Sequence, residues 1–155
     1  MSPRYAGSSL LEAPLPQAGD AVRPGFDVAI RSEPSSVEII RRVTRAWARY
    51  CELPDDLVDT LLVVVSELCT NAVLHGRREA FDVRGWMPAA GQLRFEVHDK
   101  TPSVIPQPQH PDPESESGRG LLLVDVLITE LGGTWGFIEN GTCAWCSLPL
   151  PGNGR

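Results

Sequence analysis

The segment from residue 57 to residue 76 combines a long apolar run with three polar side chains spaced four residues apart. Its apolar residues recur at helical spacing and predict a helix with one buried face: Leu57, Leu61, Val64, Val65 and Leu68. Glu67, Asn71 and His75 project from neighbouring positions on one side of that helix, because steps of four drift only about 40° each. The column is therefore either a solvated edge or a surface that faces a ligand.

Length and composition are those of a single soluble globular domain. The chain has 155 residues, of which 42% are hydrophobic and 22% are charged. Its net charge of −6 argues against direct binding to nucleic acid or to an anionic membrane. We find no apolar run of the roughly 20 residues that a membrane span needs and no signal-peptide pattern, so we expect a cytoplasmic protein.

Four cysteines fit that compartment as reduced thiols. Cys143 and Cys146 look like a metal-binding pair, but they fall in the predicted strand from residue 142 to residue 148. Residues three apart on a strand point to opposite faces, which disfavours a zinc site made from this pair. We expect both to be buried structural cysteines.

The order of predicted elements is β-α-α-β-β-loop-α-β-β. We expect residues 25–150 to form the domain, with a disordered arm at 1–24 and a flexible tail at 151–155, because both ends are rich in small and turn-forming residues. Ser35 and Glu38 match a capping box at the start of the first helix, and Gly76 marks the end of the second. Helices segregated against a mostly antiparallel sheet make this an α+β two-layer sandwich.

Asp99 stands directly after a predicted strand, in "FEVHDKTP", and before a proline-rich stretch that lacks any pattern. Strand ends beside loops are common positions for binding residues. A buried carboxylate there could accept a hydrogen bond from an exocyclic amine such as that of adenine, and would disfavour guanine. A plain turn-forming aspartate is the alternative.

Gly118 and Gly120 flank Arg119 just before the third predicted helix. Glycines let the backbone approach a phosphate closely, and a helix N-terminus attracts anions. Ordinary loop chemistry would also explain them. A P-loop is excluded because Lys100, the sole lysine, has the wrong neighbours, and no G-x-G-x-x-G follows a strand.

Three segments follow one another in the chain: "SELCTNAVLHG", "VHDKTPS" and "GRGLLLVDVL". In this order they resemble the N-box, the adenine-binding Asp box and the second glycine box of the histidine-kinase-like ATPase superfamily. The most similar group is the small anti-sigma-factor serine/threonine kinases of Gram-positive bacteria. The resemblance covers about residues 26 to 150. It implies the two-layer α/β sandwich of the Bergerat type, with helices on one face of the sheet.

The resemblance also implies two cofactors, ATP and Mg²⁺, and a role for individual residues. Asn71 would coordinate the magnesium that bridges the phosphates, and Glu67 would be the catalytic base for an acceptor serine hydroxyl. Asp99 would bind the adenine amine with help from Thr142. The remaining positions implied, for the lid over the nucleotide and its hinge, are Gly118, Arg119, Gly120 and Leu121.

Three functions are compared. The resemblance favours an ATP-dependent kinase that acts as an anti-sigma factor, binds a sigma factor, phosphorylates a small anti-anti-sigma partner and forms a homodimer. The alternative is a catalytically weak or inactive nucleotide-binding module that captures its partner, because "DKTPSVIP" replaces the usual Asp-x-Gly-x-Gly. A metal-dependent hydrolase using His75, His98 and His110 is disfavoured, since no two share metal-ligand spacing.

Overall fold

Three helices cover one face of an antiparallel sheet in the computed structural model of the chain, which describes residues 25–100 and 116–151. The elements are β1 (Phe26–Arg31), α1 (Ser35–Tyr50), α2 (Asp55–His75), β2 (Ala80–Ala89), β3 (Gln92–His98), α3 (Glu116–Glu130), β4 (Thr134–Phe137) and β5 (Cys143–Pro149). The predicted order of helices and strands and the α+β fold class are confirmed. Most of the patternless stretch predicted as a loop before the third helix lies outside the described residues. The predicted arm at 1–24 and nearly all of the tail lie outside the described residues.

The sheet has the strand order β1-β2-β3-β5-β4, and every neighbouring pair is antiparallel. β3 is the central strand. Its residues Leu93, Phe95 and Val97 are 0%, 0% and 2% exposed and point towards the helices, as their alternation predicts. The intervening residues of β3 therefore point to the opposite face, which we call the outer face of the sheet.

Helix α2 lies between α1 and α3 in the helical layer and supplies much of the core. Leu61, Val64 and Val65 are completely buried. Among the described residues it is also the one helix long and apolar enough to cross a membrane, so the expectation that no segment reaches that length is wrong. Burial on the sheet accounts for its composition, because a core helix needs the same apolar residues.

The ends of two helices differ from their predicted form. Pro34 occupies the N-cap of α1 in a helical conformation and no side chain caps the helix, so the predicted capping box is not formed. Gly76 does end α2, but with extended backbone at φ −68° rather than a left-handed turn. A Cβ at this position would lie 2.4 Å from the carbonyl oxygen of Ala72, which gives a steric reason for the glycine.

The two faces of α2 predict opposite responses to truncation. Leu61→Ala should lower the free energy of unfolding by about 2–5 kcal/mol, because Leu61 is fully buried. Val63→Ala, two residues away on the exposed side, should change it by about 0.5 kcal/mol or less. Urea unfolding of both variants measures the difference. Equal losses would contradict this placement of α2 on the sheet.

Candidate functional site

A cavity of about 400 Å³ opens between α2 and α3. Its walls are Glu67, Thr70, Asn71 and Leu74 from α2, with Arg119, Gly120 and Leu123 from α3. This volume falls in the range of small-molecule pockets, and the lining combines a few polar groups with apolar walls, as such pockets do. We call it the large cavity.

A second, much smaller cavity lies beside the last turns of α2 and measures about 30 Å³. It is lined by Asn71, His75, Asp99 and Gly141 together with the apolar residues Leu68, Ala72, Val97, Phe137 and Ala144. That volume is about the share of one water molecule in the liquid. Asn71 belongs to both cavities, so the two form adjoining parts of one region.

The column of Glu67, Asn71 and His75 therefore runs along two cavities. Glu67 and Asn71 are half-buried, whereas His75 is exposed at the edge of the small cavity. The spacing of four on a straight helix is what aligns them, and the apolar residues beside the column hold that side of α2 close to the sheet. A wholly solvated edge does not describe this arrangement.

The glycines of α3 lie inside the helix rather than before it, because α3 already begins at Glu116. Gly118 is in the first turn, but Gly120 is the fifth residue, where the backbone N–H bonds within the helix. A Cβ at position 120 would lie 2.2 Å from Oε2 of Glu67, at the far end of that flexible side chain. Gly120 therefore gives the Glu67 carboxylate room beside α3.

Asp99 follows the last residue of β3 and lines the small cavity. The chain turns sharply after it, since Lys100 has a left-handed φ of 60°. The N–H of Lys100 donates to the carbonyl oxygen of Thr142 at 3.2 Å, and its Nζ lies 2.6 Å from Oδ2 of Asp82. These contacts stabilise the turn that positions Asp99 next to Thr142.

Not every predicted site residue lines a cavity. Leu121 is 2% exposed and packs in the core, because it lies on the side of α3 that faces the sheet. Thr142 is half-buried just before β5, between Gly141 and Ala144 of the small cavity.

Residues of the cavity walls that sequence reasoning did not assign to a site include Thr70, Leu74, Leu123 and Phe137. Thr70 and Leu74 are spaced three from Glu67 and Asn71, so helical spacing could have found them. Leu123 is likewise three residues after Gly120. Phe137 comes from β4, distant in the sequence, and no local pattern indicates its position.

The donor types in the large cavity suit a metal–phosphate ligand. The Asn71 amide and the Glu67 carboxylate offer the hard oxygen donors that Mg²⁺ prefers. The guanidinium of Arg119 can bind phosphate oxygens in a bidentate manner.

Comparisons with known proteins agree with this geometry. Residues 30–145 match the histidine kinase-like ATPase domain family. A serine-protein kinase RsbW of Bacillus licheniformis is 33% identical over 114 residues, which are 64% of this chain and 71% of that protein. A second RsbW of that species is 32% identical over 115 residues, again 64% of this chain and 71% of that protein.

Solved structures show the same fold. The RsbU and RsbW domains of a Mycobacterium tuberculosis protein superpose with a TM-score of 0.59 at 16% identity, over 81% of this chain and 32% of that one. The histidine kinase domain of a blue-light-activated kinase from Erythrobacter litoralis gives a TM-score of 0.52 at 20% identity, over 78% and 62%. The chain therefore belongs to the histidine kinase-like ATPase domain family and is an RsbW-like member of it.

Proposed function

We propose that the chain is an ATP-dependent serine/threonine protein kinase that acts as an anti-sigma factor and phosphorylates a small anti-anti-sigma partner. The observation that carries the proposal is the shared position of Asn71, which lines both cavities between Glu67 on one side and Asp99 on the other. A nucleotide needs a base pocket that adjoins a phosphate and metal site. The RsbW relatives support the same activity at moderate identity.

The phosphates would occupy the large cavity. Asn71 would hold Mg²⁺ through its amide oxygen, and the ion would neutralise charge on the phosphate oxygens when bound. Arg119 would add a positive charge from the first turns of α3. The N-terminal end of α3 favours an anion on the same side.

Glu67 would act on the acceptor hydroxyl. It lies one helical turn before Asn71, so a hydroxyl next to its carboxylate would also lie close to the phosphate held at Asn71. Gly120 supports this role, because its missing Cβ leaves the space that the carboxylate occupies. Phosphoryl transfer needs positioning and charge stabilisation more than covalent chemistry from the protein.

Asp99 would accept a hydrogen bond from the adenine amine. The small cavity of about 30 Å³ is too small for a purine, so base binding requires its walls to move apart. The exposed His75 at its edge would be the wall that moves, because it does not belong to the core.

That small volume also favours the second candidate, a module that regulates its partner by stoichiometric binding with weak or no catalysis. Calorimetry with Mg-ATP separates the two functions in part. Binding in the micromolar to low millimolar range supports the kinase, whereas no binding at millimolar nucleotide favours capture alone. A homodimer, a sigma factor as second partner and a cytoplasmic location complete the proposal.

Glu67→Gln should keep ATP affinity within a few-fold but reduce phosphoryl transfer by about 10²–10⁴-fold, because an amide cannot accept the hydroxyl proton. Transfer is measured from γ-labelled ATP to the anti-anti-sigma protein of the same genome. Glu130→Gln, at the exposed end of α3, is the matched control and should leave the rate unchanged. An unchanged rate in Glu67→Gln would remove the base from the mechanism.

Asp99→Asn should weaken ATP binding by about 10–100-fold, since a hydrogen bond to a charged group contributes about 1.5–3 kcal/mol. It should also reduce the preference for ATP over GTP, because an amide can donate to the guanine carbonyl. Calorimetry with both nucleotides measures the ratio, and exposed Asp59→Asn serves as control. Full retention of the preference would argue against adenine at Asp99.

Gly120→Ala should slow transfer at least about tenfold by displacing the Glu67 carboxylate. Its stability should hold or rise by up to about 1 kcal/mol, since alanine favours helix over glycine. In a Glu67→Gln background the same change should lower transfer no further, because the two residues act as a unit. Additive losses would show that Gly120 acts on something other than Glu67.

A further inference from the structure

The outer face of the sheet carries a cluster of three metal-ligating side chains, opposite the face that packs against the helices and borders the small cavity. Glu96 and His98 are alternate residues of β3, and Cys143 of β5 is the direct cross-strand neighbour of His98. Their ligand atoms all lie within 4.8 Å of one another. Cys146 is not part of the cluster, because it faces the core on the other side of β5 from Cys143.

Two of the three distances between these atoms are close to those in a tetrahedral metal site. Oε1 of Glu96 lies 3.0 Å and Sγ of Cys143 lies 3.5 Å from Nε2 of His98. Ligands bound to zinc at ordinary bond lengths stand about 3.4 Å apart for oxygen and nitrogen and about 3.6 Å apart for sulfur and nitrogen. The two observed distances differ from these values by a few tenths of an ångström or less, whereas the carboxylate oxygen of Glu96 and Sγ of Cys143 lie within 4.8 Å and would approach each other further on binding.

Glu96 is oriented for this role by Arg94. The Nε and Nη2 atoms of Arg94 donate to Oε2 of Glu96 at 3.1 Å and 2.8 Å, which leaves Oε1 directed at His98. The guanidinium of Arg94 lies over the ring of Trp145 at 4.3 Å and is itself buried. Such an outer contact fixes the orientation of a metal-binding carboxylate.

Charge and access are compatible with a cation. Burial raises the pKa of the Glu96 carboxyl, but hydrogen bonds from His98 and Arg94 outweigh it and leave that pKa below its ordinary value. The guanidinium of Arg94 offsets one negative charge, so the cation needs a second one from Cys143. Burial and the Glu96 carboxylate raise the pKa of the Cys143 thiol, so the metal has to displace the thiol proton as it binds. The His98 side chain is 18% exposed, whereas that of Glu96 is 1% exposed, so an ion would enter from solvent beside His98.

We propose that Glu96, His98 and Cys143 bind a divalent transition-metal ion of borderline softness, with Zn²⁺ and Co²⁺ as the best matches. One thiolate, one imidazole and one carboxylate select such ions over Mg²⁺ or Ca²⁺, which prefer oxygen alone. Binding forms the metal–sulfur bond as the thiol proton leaves to solvent. A water molecule entering beside His98 would fill the fourth position.

The ion would link the two strand ends next to the small cavity. His98 directly precedes Asp99, and Cys143 directly follows Thr142. On β2, Asp82 is the cross-strand neighbour of His98 but contacts Lys100, so it is not assigned as a ligand. The site does not depend on the proposed kinase activity.

Titration of the purified full chain with Co²⁺ under reducing conditions tests the site. We expect a thiolate-to-cobalt band in the near ultraviolet that saturates at one ion per chain and disappears on addition of Zn²⁺. Cys143→Ser should abolish the band, and Cys146→Ser, three residues along the same strand, should retain it. No band, or a band that survives in Cys143→Ser, would overturn the proposal.

A second variant guards against a folding defect in Cys143→Ser. His98→Gln, at the solvent-facing ligand, should keep the circular dichroism spectrum of the native chain and weaken Co²⁺ binding at least about tenfold. Zn²⁺ should raise the thermal midpoint of the native chain and of Cys146→Ser, because an ion that binds only the folded state stabilises it. An equal rise in His98→Gln would show that Zn²⁺ binds elsewhere.

Discussion

Packing of α2 on the central strand β3 is the contact on which the rest of this structure depends. The buried side of α2 contributes Leu61, Val64, Val65 and Leu68, which are all 1% exposed or less, and β3 contributes Leu93 and Phe95 on the facing side. Because α2 is held along its length, the side chains beside this apolar face have fixed positions relative to the strand ends. Glu67 and Asn71 gain their common orientation from that packing. The position of Asp99 is set by the end of β3, which it directly follows.

The sheet separates two chemically different surfaces. The face under the helices is apolar and borders the small cavity, whereas the outer face carries Arg94 and Glu96 in a buried ion pair with Trp145 stacked on it. A buried pair of this kind contributes little net stability, because removing two charges from water offsets their attraction. Its more evident effect is orientation, since Arg94 fixes Glu96 and Glu96 in turn bonds to the neighbouring His98.

Much of the fold followed from local patterns in the sequence. Alternation identified the inward residues of β3, and the apolar spacing identified the buried face of α2, because each depends on the period of one element. Steps of four aligned Glu67, Asn71 and His75 for the same reason. Burial of Arg94 and Glu96 was not predicted, since their alternation is that of any solvated face, and the start of α3 was placed too late at the glycines.

The sequence by itself determined the element order, the two-layer architecture and the single file of polar groups on α2, because these are properties of contiguous residues. Tertiary structure alone decided that Gly120 lies against Glu67, that Asn71 borders two cavities and that Cys143 pairs across strands with His98. These contacts join residues 45 or more positions apart in two cases, so strand register and helix docking determine them, and neither is encoded by any short segment.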